Sequence, residues 1–374
     1  METLIRTITP TILNEKEDLE FIQEVKLAAN PVIESAEFAH RVHLWPISKY
    51  VKDYMLSSYT PRTWRTHPVH ILPHEPHSSS DPWNKAVLDW IFLISSLNFS
   101  FWSEKEGRPD RYGVEWQVSW DNEEKKVWTG YWSLVAALNK ALQNGIPITD
   151  PAFYSSETLC PDSLIESIFA PAPQCAESIP LLTERIAVMR EVGFILTNGF
   201  GGSYQGLLDE FQRRQNGQGT ALDLVKLVVD SFPSFRDEVY LEGRKGERGP
   251  VIQDLTMFAD YRVPQILHHL RILTYPDSLV KLLREGQSLE PGCREEISLR
   301  VASILSVDRV REEIIKMADA SGDLKAGSAG EVSSVLIDFF LWDLAKRIEG
   351  GDEKIEGIET SDILPAHRTR SIWY

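Results

Sequence analysis

One carboxylate stands out among the residues that could do chemistry. Asp260 comes four residues before Pro264, and Ile266, Leu267 and Leu270 then follow at helical spacing. Because proline suits the first turn of a helix, this pattern predicts a helix that begins near Pro264. Backbone N–H groups at a helix N-terminus stabilise a nearby negative charge, so we expect Asp260 to be ionised at neutral pH.

Two interpretations fit this carboxylate. Phe258 and Tyr261 flank Asp260, and a fixed anion beside aromatic rings suits the stabilisation of a sugar cation next to a stacked base. Alternatively, Asp260 only caps the helix and the two rings belong to the core. The residue pattern leaves both interpretations open.

The elements that would position this carboxylate are mostly helices. Apolar residues recur at helical spacing over 81–97 and in nearly every segment after residue 150, including two separate helices predicted over 294–304 and 307–317. Around 114–120, apolar and polar residues alternate instead, which predicts a strand followed by a turn and a return strand. The sequence therefore predicts a mainly α fold with one small β-hairpin.

Whole-chain properties limit the class of protein. The chain has 374 residues and a formal net charge of −16, so broad binding to polymeric nucleic acid is not expected. We predict one domain over 1–374, with an N-terminal helical or loop subregion over 1–80. The most apolar run, 90–97, is far too short to span a bilayer.

Cysteine and histidine usage gives no metal site. Cys160, Cys175 and Cys293 are widely spaced and form no Cys-x-x-Cys pair, which fits reduced thiols in the cytoplasm or nucleus. Five histidines fall between residues 43 and 77 in a partly proline-rich stretch, without acidic or cysteine partners on a common face. We interpret that stretch as a surface loop.

Several irregular strings carry a resemblance to a known family. The longest is Thr-Met-Phe-Ala-Asp-Tyr-Arg-Val-Pro-Gln at 256–265, and Phe-Pro-Ser-Phe-Arg-Asp at 232–237 and Arg-Ser-Ile-Trp-Tyr at 370–374 accompany it. Similar strings occur at 99–102, 130–134, 200–203 and 338–343. With these strings the chain resembles the queuosine salvage protein family from about residue 32 to its end.

The resemblance implies a helical fold related to DNA glycosylases and an N-glycosylase activity without a cofactor. The implied reaction is hydrolysis of the N-glycosidic bond of queuosine 5′-monophosphate, which releases queuine for salvage into transfer RNA. By position, Asp260 matches the catalytic carboxylate, and Phe258, Tyr261 and Arg262 are its neighbours in the substrate site. The implied partner is a small nucleotide, with no polymeric nucleic acid and no membrane.

Further candidates would hold the base and the phosphate. The leaving base is a 7-deazapurine that lacks N7 as a protonation site, so the protein must stabilise its other edges and faces. Stacking is expected from the rings of Phe99, Phe101, Trp102 or Trp132, and Asp230 or Asp237 could accept hydrogen bonds from the guanine-like edge.

One departure from the family pattern concerns the phosphate. The family has a Lys-Arg-Ala-Gln string between the two segments that correspond to 232–237 and 256–265, and that string is absent here. Either Arg244, Lys245 or Arg248 supplies the phosphate-binding cation, or the chain is a catalytically inactive relative that binds a nucleotide or a protein.

Overall fold

The computed structural model describes residues 49, 67–236, 257–321, 332–351 and 358–373, so most of the predicted 1–80 subregion lies outside the described residues. The chain divides into two compact units. The hairpin unit contains the described residues 67–236, 288–291 and 368–373. The Asp260 unit contains 257–287, 292–321, 332–351 and 358–367.

The hairpin unit is built from helices around one two-stranded sheet. Its first helix begins where the sequence predicts, because the side chain of Asp81 accepts the N–H of Trp83 at 2.8 Å and Pro82 occupies the first turn. The helices are α1 (Pro82–Ser96), α2 (Tyr131–Gln143), α3 (Pro151–Tyr154), α4 (Asp162–Ile168), α5 (Leu182–Gly199), α6 (Tyr204–Arg214) and α7 (Ala221–Ser231).

The predicted hairpin is confirmed. Strand β1 (Gly113–Ser119) pairs antiparallel with β2 (Asn122–Thr129), with Gly113 opposite Thr129 and an irregularity in the pairing between Gln117 and Ser119. Val114 and Trp116 are buried whereas Glu115 between them is exposed, as the alternating sequence predicts. Helix α2 follows directly and packs against both strands.

The Asp260 unit consists of four helices in its described residues. These are α8 (Arg262–His269), α9 (Asp277–Arg284), α10 (Arg294–Ser321) and α11 (Ser334–Glu349). Helices α8, α10 and α11 pack against one another. Leu267 on α8, Ile314 on α10 and Leu344 on α11 are fully buried.

The prediction of two helices over 294–304 and 307–317 is wrong, because α10 runs through both without a break. Leu305, Ser306 and Val307 are all buried at the predicted break. Nearby, the hydroxyl of Ser303 donates to the C=O of Leu299 at 2.7 Å, so serine in this helix bonds back to the helix itself. We infer that burial of these residues stabilises a continuous helix where the sequence pattern predicted a break.

The mainly α class with a small hairpin is confirmed for the described chain. No helix in the described ranges is both long enough and apolar enough to cross a bilayer. The relation to DNA glycosylases stays a prediction.

Candidate active site

Asp260 lies in the turn that leads into α8. Its Oδ1 atom accepts the backbone N–H of Arg262 at 2.8 Å and that of Val263 at 3.0 Å. These are two of the N–H groups that a helix start leaves without a partner. The helix begins at Arg262, two residues before Pro264, so the sequence located this N-terminus closely. Asp260 does cap the helix, and the same two bonds fix a carboxylate in one orientation.

A second carboxyl group lies beside it. Asp338 is on α11 and only 5% exposed, and its Oδ2 atom accepts the backbone N–H of Phe258 at 3.3 Å. The C=O of Phe258 in turn accepts the backbone N–H of Asp260 at 2.9 Å. The backbone of one residue, Phe258, therefore connects the Asp338 side chain to the backbone of Asp260.

The two carboxyl groups differ in their electrostatic surroundings. Burial raises the pKa of Asp260, while the N–H groups of Val263 and Arg262 and the positive charges of Arg262 and Lys346 lower it. Burial and the neighbouring Asp260 charge raise the pKa of Asp338 well above its ordinary value, and only the Phe258 N–H opposes them. Because two adjacent carboxylates cannot both ionise at low cost, ionisation of Asp260 is favoured over ionisation of Asp338.

Buried polar contacts hold α8 in place. The guanidinium of Arg262 forms an ion pair with the carboxylate of Glu349 at the end of α11. The side-chain amide of Gln265 donates to Glu349 and to the C=O of Leu364, both at 2.7 Å. Arg262 is thus committed to a protein partner, and its predicted contact with a substrate stays a prediction.

Two aromatic residues border Asp260 in sequence. Phe258 lies two residues before Asp260, and its side chain is 67% exposed to solvent. Tyr261 is half-buried, and the guanidinium carbon of Arg262 lies 5.7 Å from the centre of its ring. The sequence grouped these residues with Asp260, and the structure places all of them at the start of α8.

The predicted stacking residues 99–102 lie in the hairpin unit. Phe99 is buried, and the guanidinium carbon of Arg185 lies 4.3 Å from the centre of its ring and 4.9 Å from that of Phe101. Trp102 is also buried, with Arg370 over its ring at 3.3 Å. Of these three rings, only Phe101 is half-buried, and it lines a cavity of about 410 Å³.

The remaining candidates are more scattered. Trp132, on α2, stacks with the ring of His67 at 3.4 Å between ring centres. Asp230 is exposed at the end of α7, where its C=O accepts a hydrogen bond from Arg236 at 2.7 Å. Asp237 and Lys245 lie outside the described residues. Roles in substrate binding for all of these residues stay predictions.

Sequence reasoning missed Asp338 and Glu349. A signal for Asp338 was present, since it precedes Leu341 by three residues and Ala345 by seven, so it lies on the buried stripe of α11. An acidic residue on an apolar helix face needs a partner, and that requirement marks it for inspection. Glu349 carried no comparable signal. Within the residues that the structure describes, no group of three or more His, Cys, Asp or Glu side chains could hold a metal ion.

A mainly helical protein that holds two buried carboxyl groups side by side, with ionisation favoured at the one on the helix start, has the side chains that a hydrolytic enzyme needs to act at a developing positive charge. The queuosine salvage protein model matches residues 77–247 and 246–374 of the chain. The chain belongs to this family.

Similar proteins come from distant organisms. A Schizosaccharomyces pombe protein is 38% identical over 328 residues, which cover 80% of this chain and 86% of the relative. A Mus musculus protein is 35% identical over 315 residues, 78% of this chain and 83% of the relative. A Sphaerobacter thermophilus protein is 29% identical over 350 residues, 88% of this chain and 91% of the relative. Each is named queuosine 5′-phosphate N-glycosylase/hydrolase.

The family match is divided at one place. Its two stretches meet at residues 246–247, inside the segment where the Lys-Arg-Ala-Gln string is missing. The departure noted in the sequence and the division of the match therefore fall in the same short region.

Proposed function

We propose that this chain hydrolyses the N-glycosidic bond of queuosine 5′-monophosphate and releases queuine. The names of the similar proteins support the reaction and the substrate. The observation that carries the proposal for this chain is the carboxylate of Asp260, held by two backbone N–H groups at a helix start.

The chemistry requires a negative charge beside the sugar. As the bond between C1′ and the base nitrogen breaks, its electron pair leaves with the base and positive charge develops on C1′ and the ring oxygen. An ionised carboxylate stabilises that charge, and it does so best when it is already oriented. Water then adds its oxygen to C1′; one of its protons stays on the new hydroxyl group, and the other goes, directly or through solvent, to the departing base.

Asp260 meets these requirements in three ways. Its two N–H donors keep it oriented, and the charges of Arg262 and Lys346 favour its ionised form. Ionisation is favoured at Asp260 over Asp338, so the first negative charge of the pair falls on the group we assign to the sugar. In this proposal, Asp260 is the catalytic residue, and Phe258 and Tyr261 border the substrate.

The partner we propose is the free nucleotide. The net charge of −16 opposes binding of a polymeric nucleic acid. The cation for the phosphate is assigned to Arg244, Lys245 or Arg248 from the sequence alone.

The test is product release. Purified protein is incubated with queuosine 5′-monophosphate, and free queuine is followed by chromatography, with binding measured in parallel by ligand-induced thermal shift. Time-dependent queuine release supports the proposal. Binding of the nucleotide without release would identify an inactive relative and overturn it.

A further inference from the structure

Asp338 is connected to Asp260 through hydrogen bonds to the backbone of Phe258. Its side chain accepts the N–H of Phe258 at 3.3 Å, and the same peptide chain returns a hydrogen bond from the N–H of Asp260 to the C=O of Phe258 at 2.9 Å. Phe258 is therefore shared by two hydrogen bonds, one from its N–H to the Asp338 side chain and one to its C=O from the N–H of Asp260.

These two hydrogen bonds join helix α11 to the irregular segment that contains Asp260. Asp338 lies within α11, between the buried residues Ile337 and Phe340, whereas residues 257–260 have no regular secondary structure. A loop that carries a reacting group must be held by its neighbours, because a displacement of about 1 Å costs on the order of 100-fold in rate. The N–H groups of residues 262 and 263 at the start of α8 hold the side chain of Asp260, whereas the C=O of Phe258 holds its backbone.

We propose that Asp338 is a positioning residue that holds the Asp260 carboxylate in its working orientation through the backbone of Phe258. This inference rests on the proposed function. Neither the family match nor the names of the similar proteins assign any role to Asp338.

Asp338 does this work as a neutral acid. Among the described residues, the positive charges of Arg262 on α8 and Lys346 on α11 lower the pKa of Asp260. Burial and the Asp260 charge raise the pKa of Asp338, and the Phe258 N–H lowers it. A neutral Asp338 supplies a hydrogen-bond acceptor without adding a second negative charge beside Asp260. An asparagine can supply the same acceptor, and this makes the role testable.

The experiment compares Asp338→Ala and Asp338→Asn with wild type, with Asp277→Asn as control. Asp277 is an exposed carboxylate in the first turn of α9, so its substitution makes the same chemical change away from the pair. We expect Asp338→Ala to lower kcat about 100-fold with KM changed less than about threefold. Asp338→Asn should restore kcat to within about tenfold of wild type.

The pH profile separates positioning from charge. If Asp338 is neutral while Asp260 ionises, Asp338→Asn leaves the acid limb of kcat/KM within about half a pH unit of wild type. An acid limb lowered by about one unit or more would show that Asp338 is charged, and would overturn the proposal. Wild-type kcat in Asp338→Ala, or an Asp338→Asn variant as inactive as Asp260→Asn, would overturn it too. If Asp338→Ala does not fold, the Asp338→Asn profile decides alone.

A measurement without substrate keeps this inference apart from the proposed function. The aspartate carboxyl carbons, labelled with carbon-13, are titrated by NMR in wild type and Asp338→Asn. We expect Asp260 to ionise first in wild type, and its midpoint to move by less than about half a unit in the variant. Ionisation of Asp338 first overturns the inference, whereas absence of queuine release with the expected titration overturns only the proposed function.

Discussion

Arg262 and Glu349 form an ion pair that ties the helix behind Asp260 to the end of α11, with side chains 11% and 33% exposed. Gln265 donates to the same carboxylate, so Glu349 serves two residues of α8. We expect Glu349→Gln to lower the free energy of unfolding by about 1–3 kcal/mol, because it leaves the Arg262 guanidinium without its countercharge in a mostly buried place. Urea unfolding measures this loss.

The control for that prediction is a more exposed pair in the same unit. Arg271 pairs with Glu359 at 2.7 Å, and the Glu359 side chain is 81% exposed. Glu359→Gln should change the stability by less than about 0.5 kcal/mol, as expected for a solvated ion pair. Equal losses in the two variants would show that the Arg262–Glu349 pair has no special part in holding α8.

Substitution of Asp260 should separate catalysis from folding. Asn keeps an oxygen acceptor for the N–H groups of Arg262 and Val263 but removes the charge. We expect Asp260→Asn to lower the rate of queuine release by at least about 100-fold to 1,000-fold. The melting temperature should stay the same or rise, because the substitution removes a buried negative charge.

The pH dependence of the wild-type enzyme follows from the same residue. Since burial raises the pKa of Asp260 above its ordinary value, kcat/KM should fall with decreasing pH before the pH reaches the usual range for aspartate. Chromatographic assays over a pH series measure this limb. Asp277→Asn should reproduce the wild-type profile, and undiminished release by Asp260→Asn would contradict the assignment.

Asp89 in the hairpin unit should limit stability at neutral pH. It is buried on α1 and accepts the N–H of Tyr204 at 2.7 Å, and burial raises its pKa to about 6. In the unfolded chain an aspartate ionises near pH 4, at about 3.9. Between these values the unfolded state has already released the proton that the folded state keeps, so stability falls as the pH rises through this window.

The variant Asp89→Asn tests whether ionisation of Asp89 lowers the stability of the folded state as the pH rises. Asn can still accept the Tyr204 N–H without a charge, so the variant should be more stable than wild type at pH 7, by up to about 3 kcal/mol. The difference should vanish near about pH 3, where the Asp89 carboxyl is neutral in both the folded and the unfolded state. Thermal melts at the two pH values measure it, and a variant less stable than wild type at pH 7 would refute the prediction.

Arg185 should be required for the fold of the hairpin unit. It is fully buried on α5, and its guanidinium donates to the C=O groups of Leu97, Phe99 and Pro180. Burial lowers its pKa to about 9. Arg185→Met removes this donor from three carbonyl groups, of which the Leu97 C=O still accepts the Phe99 N–H at 3.0 Å, and we expect a loss of about 3 kcal/mol or more in the free energy of unfolding.

The matched control is Arg213 on α6, whose side chain is 71% exposed in its pair with Glu210. Arg213→Met should change stability by less than about 1 kcal/mol. Lysine should not rescue position 185, because an ammonium group lacks the planar fork that reaches several carbonyls at once. A stable Arg185→Lys variant would contradict this account of the site.

Local signals in the sequence predicted the start of α8, the N-terminus of α1 and the hairpin. Each depends on residues within a few positions, such as Pro264 for α8 or Asp81 for α1, so a single sequence contains the information. The contacts that complete the site are of another kind. Phe258 and Asp338 are 80 residues apart, and Arg262 and Glu349 are 87 apart. Only the packing of α8 against α11 brings such residues together, and residue pattern alone does not determine that packing.

The two donors that orient Asp260 belong to the main chain, at positions 262 and 263. Exchanging the side chain at either position leaves its N–H in place, and proline is the exception because it has none. These two hydrogen bonds are therefore independent of the side chains at 262 and 263, whereas the contact to the Phe258 backbone depends on the side chain of Asp338. Neither Arg262 nor Val263 can be replaced by proline without the loss of one of these two donors.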